Sequence, residues 1–253
     1  MISPGRVAFS IFGMNIYWYG IIISAAILIA VAIGYSRAER HNIKKDDLLD
    51  MVLIAIPSAI VGARLYYVIF KWEMFAGDIG KIFNLRAGGL AIHGGLIFAF
   101  IAVYLSCKYK GYRTLNALDL AAPCIALAQS LGRWGNFFNE EAHGFETDFP
   151  IAVVIDGVSY HATFLYESLW CFAMFWVLSY LDKHRKFEGQ IILLYGILYG
   201  IERFLVEYLR TDSLMIGPFK QAMLLSACVA VFCSVAYLIL SKKTAKDLSC
   251  SDE

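Results

Sequence analysis

Eight ionisable side chains stand in or beside stretches of this sequence that are otherwise apolar: Arg64, His93, Asp119, Arg133, Glu167, Glu202, Arg203 and Glu207. A charge at membrane depth costs at least ~2.5–3.5 kcal/mol, so such groups pair with one another or line a polar cavity. Helical spacing orders them. Tyr199, Arg203 and Glu207 recur at i, i+4 and i+8 and form one stripe with Arg210 close to it, whereas Glu202 points elsewhere. In "GRWGNFFNEEAHG", residues 132–144, Arg133, Asn136 and Asn139 share roughly one helical face, and Glu141 and Gly144 follow. A guanidinium between a phenol and a carboxylate suits an oxyanion such as phosphate, which arginine binds through a two-pronged fork. The patch "GGLAIHGG", residues 88–95, surrounds one titratable group, His93, with glycines that allow close backbone approach. Tight helix packing explains those glycines equally well. Read alone, these residues describe an anion-headgroup site, either of a phospholipid enzyme or of a lipid or solute transporter.

The elements that carry them are membrane spans. Of the 253 residues, 59% are hydrophobic and 17% charged, against roughly 45–50% and about 25% in soluble domains. Crossing a bilayer takes about 20 apolar residues in a helix. Seven such runs cover about 16–36, 48–70, 90–107, 115–137, 163–181, 190–209 and 222–240. The first is too long for a signal-peptide core and lacks a small-residue cleavage site behind it. No period-2 alternation runs through these stretches, which argues for helices rather than a barrel. Cys107, Cys124, Cys171, Cys228, Cys233 and Cys250 lack Cys-x-x-Cys spacing, so packing rather than zinc or a disulfide framework is expected. No basic stripe stands apart from the loops between runs, which argues against nucleic acid as a partner.

Charge sets the orientation. Thirteen Lys and Arg residues lie in the segments 37–45, 108–113, 183–186 and 242–246, against six on the other side: Arg6, Lys71, Lys81, Arg86, Arg210 and Lys220. The richer side is cytoplasmic by the positive-inside rule. The expectation is an all-α polytopic membrane protein with seven transmembrane helices, N-terminus outside and C-terminus cytoplasmic, forming a single domain over residues 1–253. A small outer cap, about 139–162, holds five acids and no Lys or Arg. Within it "IAVVIDGVSYH" reads as a β-hairpin turning at Asp156-Gly157, a favoured type I′ pair. On this frame the ionisable groups lie in the outer half of the bilayer. Asp119 is the exception: it falls near the inner end of its run and reads as a structural cap or packing polar.

Together, "WYG" (18–20), "GARLYYVIF" (62–70), "HGG" (93–95), "GRWGNFFNxExxG" (132–144), "LYE" (165–167) and "YGxxRFxxExxR" (199–210) resemble the bacterial prolipoprotein diacylglyceryl transferases. The resemblance runs in matching order from about residue 15 to 220. It implies a multi-pass enzyme of the bacterial cytoplasmic membrane, without metal or cofactor, whose partners are phosphatidylglycerol, the lipobox segment of a preprolipoprotein and membrane lipid. The enzyme would move a diacylglyceryl group onto the lipobox cysteine thiol and release glycerol-1-phosphate; a transporter using the same cavity is the alternative. Carried over, the catalytic groups fall on His93, Arg133, Tyr199, Arg203 and Glu207. Substrate contacts fall on Tyr19, Arg64, Asn136, Asn139, Glu141, Gly144, Glu167 and Arg210. The stretch His161-Ala162-Thr163 lacks the proline common at that point in the family, a departure that concerns the cap.

Overall fold

A computed structural model gives the fold and describes residues 1–85, 88–211, 213 and 215–249. Arg86 and Cys250, both counted above, lie outside the described residues. The chain divides into two compact units: residues 1–33 with 118–253, and residues 34–117.

Seven α-helices form among the described residues: α1 Trp18–Arg37, α2 Lys45–Phe70, α3 Ile92–Lys110, α4 Thr114–Asn139, α5 Thr163–Asp182, α6 Gln190–Leu209 and α7 Gln221–Ser249. Each lies on one of the seven apolar runs. Six of them, α1 to α5 and α7, are long and apolar enough to cross a membrane, and the chain is a multi-pass helical membrane protein. Helix α6 covers 190–209 as the pattern predicts, but its second half carries Glu202, Arg203 and Glu207, too many charges for a span by composition alone.

The strands pair as three antiparallel hairpins: β1 Val7–Ile11 with β2 Met14–Tyr17, β3 Ala152–Ile155 with β4 Val158–His161, and β5 Met215–Ile216 with β6 Phe219–Lys220. The second is the predicted one. Asp156 and Gly157 have φ of 50° and 82°, as a type I′ turn requires. The first hairpin turns at Phe12 and Gly13 (φ 48° and 77°) and takes Ile16 and Tyr17 out of the expected first span, so α1 starts at Trp18.

In the unit of residues 34–117, α2 and α3 pack closely because glycines face each other. A Cβ on Gly94 would lie 2.3 Å from the Gly62 carbonyl oxygen, and one on Gly62 would lie 2.3 Å from the Phe98 ring. Small residues at a crossing are how membrane helices gain van der Waals contact, since lipid offers no hydrophobic drive. Gly111, left-handed at φ 77°, closes α3 by donating its N–H to the Cys107 carbonyl. Lys110 then ties α3 to Asp47 and Asp50 near the start of α2.

In the other unit the core lies between α4, α5 and α6. Ala122, Ala126 and Leu127 meet Cys171, Met174, Phe175, Leu178 and Ile191 there. Asp119 on α4 is fully buried and accepts N–H bonds from Gly189, Ile191 and Ile192 at 2.8, 2.9 and 2.9 Å, with Arg185 at 3.4 Å. These are unsatisfied donors of the first turn of α6, where the helix dipole also favours a carboxylate. Asp119 is therefore a structural cap, supplied by a neighbouring helix. Gly196 and Gly200 let α7 approach the same helix, facing Cys233 and the Ser226 carbonyl.

Candidate active site

Glu167 is the centre of the polar cluster. It sits on the first turns of α5 and is fully buried. Its Oε1 accepts a 3.0 Å hydrogen bond from Nη1 of Arg203 on α6, and its Oε2 pairs with Nε of Arg133 on α4 at 2.9 Å. Three helices thus converge on one carboxylate. Arg203 is held from a second side, since its Nη2 pairs with Oε2 of Glu207 one turn on at 2.6 Å. Arg210 lies farther from the same carboxylate, at 4.0 Å. The expected stripe on α6 exists, and Glu167 joins it to the α4 signature.

Tyr199 stacks on Tyr195 at a centroid distance of 5.7 Å with the rings nearly parallel, and Tyr195 donates its hydroxyl to Gln129 of α4. Asn136 is partly buried; its backbone carbonyl accepts the Glu141 N–H. Beyond α4 the chain turns through two left-handed residues, Glu140 and Ala142 (φ 57° and 58°). Such backbone conformations carry strain for residues with a Cβ. Thr163 at the start of α5 holds the turn by donating to the Ala142 carbonyl. Gly144 then wedges between β4 and the end of α6. Its N–H donates to His161, it bridges to Arg210, and a Cβ there would lie 2.7 Å from the His161 side chain.

Tyr19, Asn139 and Glu141 come together elsewhere in this unit. They border an open groove of about 1010 Å³ along α1 and β2, and Asn139 donates to Glu141 at 3.2 Å. Tyr19 touches the α4 signature by lying across Gly135, where a Cβ would be 2.5 Å from its ring.

Two residues of this region were not singled out by spacing. Lys220 donates to the carbonyls of Glu207, Tyr208 and Arg210 and caps the end of α6. Glu202 is 1% exposed, and neither of its carboxylate oxygens meets a hydrogen-bond donor among the described residues. The sequence marked it as one of the ionisable groups in apolar stretches, pointing away from the stripe.

His93 and Arg64 belong to the unit of residues 34–117. His93, in the first turn of α3, is exposed, and its ring lies 6.2 Å from that of Tyr66. Arg64 is buried on α2 and donates to the carbonyls of Lys81, Ile82, Asn84, Gly88 and Gly89 at 2.6–3.2 Å. All three guanidinium nitrogens are committed to the loop that leads into α3. Gly88 and Gly89 are left-handed (φ 81° and 76°), and Gly94 is the packing glycine. The glycine patch therefore combines a turn with close helix packing around His93.

A family model described as prolipoprotein diacylglyceryl transferase matches residues 6–240. Three relatives bear the name phosphatidylglycerol–prolipoprotein diacylglyceryl transferase. That of Finegoldia magna is 49% identical over 249 residues, covering 98% of this chain and 99% of its own. That of Clostridioides difficile (strain 630) is 46% identical over 244 residues, with 96% and 98% covered. That of Bacillus cereus (strain Q1) is 46% identical over 250 residues, with 94% and 92% covered.

Proposed function

The chain belongs to the prolipoprotein diacylglyceryl transferase family, and from that membership we propose that it transfers the diacylglyceryl group of phosphatidylglycerol to the lipobox cysteine thiol of a preprolipoprotein. It is a membrane-embedded transferase, and the transporter alternative is not favoured. The work is done in the outer half of the bacterial cytoplasmic membrane. All seven helices span, with the N-terminus outside and the C-terminus cytoplasmic. Residues 1–253 form one membrane domain, with residues 139–162 as its outer cap.

The reaction is a substitution at carbon. The cysteine sulfur forms a bond to the glycerol carbon, the bond from that carbon to phosphate oxygen breaks, and the electron pair leaves with glycerol-1-phosphate. A single displacement needs no nucleophile from the enzyme. It needs a thiolate, which nearby cations favour, and preorganised donors on the phosphate as charge develops there.

The observation that carries this reading is the convergence of Arg133 and Arg203 on buried Glu167. The carboxylate holds two guanidinium groups at one point before any lipid arrives, so little reorganisation is left for the reaction. Arg133 commits its Nε to Glu167, and its terminal nitrogens are the donors assigned to phosphate. Arg203 is the second clamp, oriented by Glu207, with Asn136 and Tyr199 as neutral donors and Arg210 as a further cation at the α6 end. His93 is assigned the thiol proton. Arg64 acts through the loop that feeds His93, and Gly144 keeps the cap seated on α6.

The test is direct. Purified protein is incubated with phosphatidylglycerol and a lipobox peptide, and the peptide mass and released glycerol-1-phosphate are measured. A diacylglyceryl mass gain with stoichiometric glycerol-1-phosphate is the expected result; folded protein giving neither overturns the reading.

A further inference from the structure

The arginine cluster has a proposed ligand, the phosphate, but the groove along α1 and β2 has none. Its walls follow an order. At one end the consecutive β2 residues Asn15, Ile16 and Tyr17 line it; at the other, Ile21, Ala25 and Leu28 do. Those three recur at i, i+4 and i+7 and form one face of α1. Leu28 lies about 15 Å along the helix from Trp18, roughly half the hydrocarbon thickness. The groove thus passes from the edge of a hairpin strand down an apolar helix face.

Consecutive strand residues can line one groove only if the groove runs along the edge of the strand, because side chains alternate between faces. The register identifies which backbone groups that edge presents. The two-residue turn at Phe12-Gly13 makes Ile11 and Met14 the hydrogen-bonded pair that closes the hairpin. Ser10 and Asn15 are then a non-hydrogen-bonded pair, and the Asn15 N–H and C=O point away from β1. The 2.7 Å bond from the Ser10 hydroxyl to the Asn15 side chain fits such a close pair. Among the described residues β2 has no second partner strand.

We propose that this groove is the docking site of the preprolipoprotein, with its lipobox segment added as a strand along the open edge of β2 and its preceding apolar segment lying on the α1 face. The inference rests on the transferase reading and divides the two substrates between two places. Charge separates them. The groove has one cation and one acid, Arg6 and Glu141, which does not suit an anionic headgroup, whereas Arg133 and Arg203 do. A free strand edge recognises peptide main chain, and a phospholipid has no N–H groups to offer it. Tyr19 connects the groove to the cluster, because it lines the groove and lies across Gly135 between Arg133 and Asn136.

Two measurements test this. Asn15→Pro removes the outward N–H at an edge position where proline is tolerated, and Asn15→Ala keeps it. The KM for lipobox peptide is expected to rise roughly fivefold in Asn15→Pro relative to Asn15→Ala, as for loss of one main-chain bond, with the KM for phosphatidylglycerol unchanged. In the wild-type enzyme, a photoreactive group on the peptide next to its cysteine should label residues 14–17. An unchanged peptide KM together with labelling elsewhere overturns the proposal, and so does labelling of this groove by a photoreactive acyl chain of phosphatidylglycerol instead. If the wild-type enzyme transferred no lipid at all, the transferase reading itself would fall, which is a separate result.

Discussion

Asp119 accepts the N–H of Gly189 at 2.8 Å, and so fixes the start of α6 against α4. Fourteen residues further along each helix stand Arg133 and Arg203. At 1.5 Å per residue both lie about 21 Å from the cap, and there both meet Glu167. The two helices are pinned at equal distances, by one carboxylate at each end of the stretch. Register at the Asp119 end and placement of the guanidinium groups at the Glu167 end are therefore one property of the fold.

Asp119→Ala should lower stability and activity together. Three N–H donors, two of them buried, lose their acceptor and Arg185 loses its ion pair with Asp119, a cost of about 2 kcal/mol or more. Thermal unfolding in detergent should show the drop, and the turnover of molecules that remain folded should fall as well. Asp119→Asn retains an acceptor oxygen and should lie between the two. Full turnover by folded Asp119→Ala protein would show that α6 holds its register without the cap.

Arg203→Lys keeps the charge and should still lose at least about tenfold in kcat/KM. Arg203 reaches Glu167 with one nitrogen and Glu207 with the other, at 3.0 and 2.6 Å. An ammonium is a single point that cannot hold both and present a fork to phosphate. The assay is lipid transfer by purified variant at saturating peptide. A near wild-type rate would remove Arg203 from the phosphate clamp.

Arg64→Lys tests a residue that acts at a distance from the reaction. Lysine has three donors, against the five bonds Arg64 makes to loop carbonyls, so at least two carbonyls lose a charged partner. Hydrogen exchange over residues 78–91 should accelerate, while α2 and α3 stay protected through their glycine contact. Activity should fall by a smaller factor than in Arg203→Lys. Unchanged exchange in that loop would show that Arg64 does not hold it.

The helices were legible because lipid imposes a length and an apolar composition that can be counted; their bounds moved by only a few residues except at the end of α7, which runs on past the expected 240 to Ser249. The second hairpin was legible because Asp156-Gly157 is local turn chemistry. The first was not: its turn begins at Phe12, an unusual residue for a positive φ, and the mostly apolar residues on either side of it show no alternation. In the site, residue types were readable and partners were not. Helical spacing placed Arg203 beside Glu207, but nothing local says that Glu167, distant in sequence from both arginines, joins them. Arg64 announced a buried cation, and its partners proved to be main-chain carbonyls, which every residue possesses and no pattern marks. Glu202 was read as lying off the stripe, and only the structure reveals that its oxygens are buried with no hydrogen-bond donor among the described residues.

Glu202→Met should raise stability, because both carboxylate oxygens are buried without a donor among the described residues. Leaving a polar group buried and unpaired costs roughly 1–3 kcal/mol, and an apolar residue of similar volume removes that cost. The unfolding midpoint should increase, and transfer activity shows whether the acid is also needed. A lower midpoint would mean that Glu202 balances the charges of Arg133 and Arg203 beside it.

His93→Gln tests the proton assignment. Glutamine can still hydrogen-bond a headgroup but cannot take a proton, so the two roles separate in the pH–rate profile. If His93 accepts the thiol proton, kcat should fall by about a hundredfold, the usual contribution of a general base. The residual rate should then follow the ionisation of the peptide thiol in solution. A headgroup contact instead predicts a raised KM for phosphatidylglycerol and a profile of unchanged shape. Substantial kcat with that unchanged profile would take the base role away from His93.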